Sequence, residues 1–167
     1  MKYTSAQANK LLKQLQEERA GLLTQEAQSR TFTAATTENL EDVRPDYDYK
    51  AVQEQLAAVE KRIREVKHAI NLFNVTHAPE GFDGMTIDQM LVYLPQLTER
   101  RIKLSRMANV LAKTRLPGGN SPLIEYEYAN YDLETVRRDL LAVTEELSRA
   151  QLALDHYNQT VLMETDL

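Results

Sequence analysis

Apolar residues recur at alternating spacings of three and four between residues 49 and 73, at Tyr49, Val52, Leu56, Val59, Ile63, Val66, Ile70 and Phe73. This spacing lays one apolar stripe along a helix whose other faces are polar. The same register returns 84 residues later, twelve heptads on, at Leu133, Val136, Leu140, Val143, Leu147, Ala150, Leu154 and Tyr157. Windows 46–74 and 130–158 also share eight identities. Two heptad helices agree at stripe positions by composition alone. The added weight comes from matches outside the stripe, Tyr47-Asp48 with Tyr131-Asp132 and Asn74 with Asn158.

The preceding segments match at an offset of 82, through Thr4/Thr86, Gln7/Gln89, Leu12/Leu94, Leu15/Leu97, Arg19/Arg101 and Leu22/Leu104. Thr-x-x-Gln opens both. The hydroxyl can accept from a first-turn amide while the glutamine reaches back to the cap residue's own amide, a capping box. Four long helices are therefore predicted over 5–29, 47–74, 87–113 and 132–162, with Asp46 and Asn130 as N-caps of the second and fourth. Pro95 lacks an amide donor and should bend the third helix over 91–95.

Between the helices of each half lie TFTAATT (31–37) and LIEYEYA (123–129), neither of which reads as helix. In the second, Ile124, Tyr126 and Tyr128 alternate with Glu125 and Glu127, the period of a strand with one covered and one wet face. A short two-stranded ribbon is marginal in water, so it must lie on the helices or against another chain. This predicts a homo-oligomer. HAPEGFDG (77–84) joins the halves and LPGGNSP (116–122) interrupts the second; the Gly-Gly pair lacks the residues of a phosphate-cradling loop. The expected fold is all-α in the main: four long antiparallel helices in a bundle, built from two pseudo-repeated helix-extended-helix halves, with a small two-stranded β-ribbon.

Length adds that 167 residues fit one domain, 1–167, containing repeats 4–76 and 86–160. With 43% hydrophobic and 27% charged residues the chain is in the globular range. A net charge of -5 supplies no overall field for nucleic acid or an anionic membrane, so neither is an expected partner. Cysteine is absent, which removes disulfides, thiolate nucleophiles and sulfur-bound zinc. No apolar run reaches the length of a spanning helix, and the N-terminus has no apolar h-region; the expected location is cytoplasmic.

Among candidate chemistry, Arg19 and Arg101 fall on the apolar stripes of the first and third helices. A buried guanidinium must be paired. The first reading is a pair of structural ion pairs with glutamates of neighbouring helices. The alternative is an anion site, in which both arginines clamp a carboxylate or phosphate. Arg62 and His68 form an Arg-x5-His spacing that resembles the motif of the HEPN helical nucleases; however, Ile63 stands where those enzymes place a polar residue, and His68 falls on the outer heptad face. Glu65 and His68 make one Glu-x-x-His, but the fourth helix has Arg149 and Leu152 at the matching positions, so no di-metal site is expected. No catalytic constellation, cofactor or metal emerges.

The stretches TFTAATTENLEDVRPDYDYKAVQ, VKHAINLFNVTH, MTIDQMLVYLPQL and EYANYDLETV together resemble a family of small bacterial proteins labelled septicolysin. The resemblance spans nearly the whole chain and implies no catalytic residues, because the family has no settled activity. Its label names a thiol-activated, cholesterol-dependent cytolysin, whereas this chain has neither Cys nor Trp. The function expected is that of a non-enzymatic, self-associating helical scaffold or adaptor, possessing itself and another protein as partners. An anion-binding enzyme or sensor at Arg19 and Arg101 is the alternative, with a HEPN-like ribonuclease behind it.

Overall fold

The computed structural model describes residues 2–117 and 123–164. The chain is mainly helical, with two small antiparallel sheets. In order it forms β1 (Lys2–Thr4), α1 (Ser5–Ser29), α2 (Leu40–Val43), α3 (Tyr49–Thr76), α4 (Ile87–Ala108), β2 (Lys113–Arg115), β3 (Tyr126–Tyr128), α5 (Leu133–Thr160) and β4 (Leu162–Glu164). It divides into two compact units, Met1–Asn74 with Asn158–Leu167, and Val75–Tyr157.

In the first unit, Thr4 and Gln7 form the reciprocal capping box, which starts α1 where the sequence predicts. α1 and α3 run antiparallel. Their polar links show it: Glu26, near the end of α1, accepts from Tyr47 Oη at 3.0 Å and Gln53 Nε2 at 2.8 Å, while Arg19, earlier on α1, reaches Glu60, further along α3. Ala8 and Leu15 are buried on α1, and Leu56, Val59, Val66, Ile70 and Phe73 on α3, so the predicted stripe is the core face from Leu56 onward; Val52 and Ile63 are half-buried, and Tyr49 at the helix start is exposed. Segment 31–37 forms no strand. The sheet of this unit instead pairs β1 with β4, with Tyr3 opposite Met163.

In the second unit a capped helix is again followed by an antiparallel one. Thr86 and Gln89 form the second capping box, and α4 continues through Pro95 to Ala108. Tyr93 Oη donates to Glu146 at 2.6 Å, while Tyr131, at the start of α5, donates to the Met107 carbonyl at the end of α4; α4 and α5 are antiparallel. Met90, Leu97 and Leu104 are buried on α4, and Val136, Val143, Leu147, Ala150 and Leu154 on α5. Offsets of 84 thus connect positions buried in both units, as in Val59/Val143, Val66/Ala150 and Ile70/Leu154. The 77–86 turn has Gly81 and Gly84 at φ 85° and 74°, conformations that glycine adopts without strain.

Two helix starts differ from the expectation of Asp46 and Asn130. Asp48 Oδ1 accepts from the amides of Lys50 and Ala51, and Asp132 accepts from those of Glu134 and Thr135. The shared Tyr-Asp pair is therefore a two-part device. Its tyrosine ties back to the end of the preceding long helix, α1 or α4, and its aspartate satisfies the first amides of the next. Bonds from Thr135 hold the Asp132 carboxyl below its ordinary pKa.

The third long helix also ends earlier than the predicted 113, at Ala108 with Asn109 as its cap. Residues 113–115 are drawn instead into pairing with β3, extended by bonds from Leu116 N to Glu125 O and from Ala129 N to Ala112 O. The Gly-Gly turn of LPGGNSP lies outside the described residues.

Candidate functional site

Arg19 is half-exposed rather than buried. Its Nε lies 2.7 Å from Glu60 Oε1, with 44% and 39% of the two side chains accessible. The long stem can follow the stripe while the charged head reaches water, so a stripe position need not bury the guanidinium. Arg101 is likewise exposed. The 84-residue offset that makes α5 equivalent to α3 places Thr144 where Glu60 stands, and Arg101 forms no ion pair among the described residues. It borders an open groove with Ser105, Arg106, Leu140 and Thr144. The expected pairing with a glutamate of a neighbouring helix is thus present for Arg19, at the surface rather than in the core, and is not found for Arg101 among the described residues. Because exposed pairs contribute little, Arg19→Met is expected to change unfolding free energy by less than ~1 kcal/mol, read by urea denaturation.

Arg62 and His68 are both exposed on α3, away from the buried stripe. Glu65, also exposed, pairs with Lys61 at 3.8 Å. Among the described residues no group of three His, Asp or Glu side chains could hold a metal. An open depression beside the 82–85 turn is bordered by Phe82, Met85, Asp88, Val92 and Tyr93, and it assembles no nucleophile with a base. The bond to Glu146, followed by burial, raises the Tyr93 phenol above its ordinary pKa, which suits a structural donor. Burial and then Glu26 do the same to Tyr47.

The arm between α4 and α5 carries the second small sheet. β2 and β3 pair Lys113 with Tyr128 and Arg115 with Tyr126, which puts two cations and two tyrosines on one face. Lys113 Nζ sits 4.0 Å from the Tyr126 ring centroid and 5.4 Å from that of Tyr128, within cation-π range. All six residues of the two strands are exposed, so the face predicted to be covered is open among the described residues. Leu111, Leu123 and Ile124 are 67%, 73% and 63% accessible.

β2 is hidden from a periodicity search because Lys-Thr-Arg is polar throughout. The turn residues Pro117-Gly118-Gly119-Asn120 before an alternating Glu-Tyr-Glu-Tyr run are the hairpin signal that could have located it.

No family model and no curated protein matches the chain. Among solved structures it is similar to a functionally unknown conserved protein from Corynebacterium diphtheriae, with a TM-score of 0.59 and 16% identity, covering 98% of this chain and 100% of that one. The likeness shows a common fold. Among the described residues no helix is long and apolar enough to cross a membrane.

Proposed function

We propose that this chain is a non-enzymatic helical scaffold that associates with itself through the arm between α4 and α5. The observation that supports this reading is the uncovered ribbon. Strands of three residues do not hold a hairpin in water, and here they expose tyrosines, leucines and an isoleucine together with both sheet edges. A partner that covers this surface supplies the missing burial.

Light scattering with small-angle X-ray scattering over a concentration series tests it. Wild type should reach at least twice the monomer mass, and Leu123→Ser with Ile124→Ser should remain monomeric with unchanged helicity and melting temperature. A wild-type monomer at every concentration would sink the reading.

The second reading is an anion site, favoured by one observation: Arg101 lacks the acid that its counterpart Arg19 has, and shares its groove with Arg106, Ser105 and Thr144. Titration with inorganic phosphate should then give saturable heat that Arg101→Met removes. Equal heats from the two proteins would end it.

A further inference from the structure

The segment around α2 and one face of the β2–β3 ribbon carry opposite charge. Residues 38–48 hold Glu38, Glu41, Asp42, Asp46 and Asp48 against Arg44 alone. The ribbon as a whole is not basic, but its register puts Lys113 and Arg115 on the face of Tyr126 and Tyr128, while Glu125 and Glu127 alternate onto the other face.

Both segments also expose apolar groups. Asn39 caps the single turn of α2, accepting from the Glu41 amide at 3.3 Å, and this turn sets Leu40 and Val43 on one side at i, i+3. Both are exposed, as is Phe32, over whose ring the Arg44 guanidinium lies at 5.9 Å. Glu41 pairs with Arg44, whereas Asp42 and Asp46 have no ion-pair partner among the described residues. The ribbon presents Tyr126, Tyr128 and Ile124 beside Lys113 and Arg115. Both sets are exposed among the described residues.

We infer that the acidic arm around α2 of one copy docks on the basic, aromatic face of the β2–β3 ribbon of a second copy. This rests on the self-association proposed above and names its two surfaces. Ribbon-to-ribbon pairing is the natural competitor, and charge opposes it: antiparallel joining of two β2 edges sets Lys113 against Arg115, and joining of two β3 edges about their centre sets Glu127 against Glu127. Arm-to-arm docking pairs unlike charges and buries apolar groups from both sides. Each copy gives one surface and receives the other, so a two-fold dimer or a closed ring satisfies both.

Charge exchange tests this by sedimentation velocity and light scattering at low and raised salt. Lys113→Glu with Arg115→Glu makes the tyrosine face of the ribbon acidic like the α2 segment; Glu41→Lys with Asp42→Lys and Asp46→Lys makes the α2 segment basic like that face, leaving Glu38 and Asp48 against four cations. All five positions are exposed, and circular dichroism with the melting temperature checks that each variant folds. Each variant alone should associate at least about tenfold more weakly than wild type, and raised salt should weaken wild type too. An equimolar mixture of the two variants should recover wild-type association, because every acidic arm then meets a basic one.

Undiminished association of either variant would overturn arm-to-arm docking while leaving the scaffold reading standing. Loss in both without recovery on mixing would do the same. A monomeric wild type would overturn both ideas, as would a monomer whose ribbon binds a single-stranded oligonucleotide in a manner abolished by Lys113→Glu with Arg115→Glu.

Discussion

Ile87→Ala is expected to cost about 2–4 kcal/mol of unfolding free energy, among the largest single-site losses available in this chain. Ile87 is only 1% accessible and occupies the first position of α4, directly after the Thr86 cap. Its amide donates to the His77 carbonyl at 2.9 Å, so one residue fixes both the helix start and the return of the preceding turn. Three and ten residues on, Met90 and Leu97 are buried too, the same face at helical spacing. Truncation removes three carbons from this packed stripe but leaves the amide bond in place, so the loss isolates packing. Ile102, on the same helix but exposed, is the control, and Ile102→Ala should shift stability by less than ~0.5 kcal/mol. Urea denaturation followed by far-UV circular dichroism measures both. Equal small effects would mean that the stripe of α4 is no core.

That experiment checks the part of the fold that was most legible beforehand. The limits of α1 follow from residues 5–29 because Thr4 and Gln7 specify a start independent of tertiary contacts, and two capping boxes 82 residues apart specify it twice. The stripes of α3 and α5 are legible for a similar reason, since a long seam averages over local accidents. Helix ends that depend on competition are less so. Asn109 stops α4 where Lys113 and Arg115 gain strand partners, and nothing in their own types announces it. At the start of α3, Asp46 and Asp48 are equally good caps by type; the tether from Tyr47 to Glu26 accompanies the choice of Asp48.

The candidate arginines illustrate a different limit. Periodicity assigns a Cα to a face, but a side chain as long as arginine carries its charge beyond that face. Arg19 accordingly ends on a surface glutamate 41 residues away, a partner that spacing within one helix cannot supply. The acidic run 38–48 could have been counted in the sequence, whereas the basic face of the ribbon could not, because Glu125 and Glu127 offset Lys113 and Arg115 until the register separates them. The meaning of both depends on α2 and the β2–β3 register, which put Leu40 with Val43 and Lys113 with Tyr128 on exposed surfaces.

The other large loss is expected from Met163→Ala, about 2–4 kcal/mol. In β4 Met163 is 1% accessible, while its neighbour Leu162 is 48% accessible, the alternation of a strand with one face covered. Opposite lies Tyr3, and the next residue of β1 is Thr4, the cap of α1, itself buried along with Ser5. Met163 thus anchors a three-residue strand whose ladder alone is too short to persist. Removing its thioether should leave the Thr4–Gln7 capping box intact, because those bonds are local to the start of α1. Hydrogen exchange separates the two effects. Amide protection should fall at β1 and β4 well before it falls within α1, whereas Leu162→Ala should leave both unchanged. Uniform loss of protection along α1 in the Met163 variant would show that the strand pair and the helix form one cooperative element rather than a clasp laid over a self-capped helix.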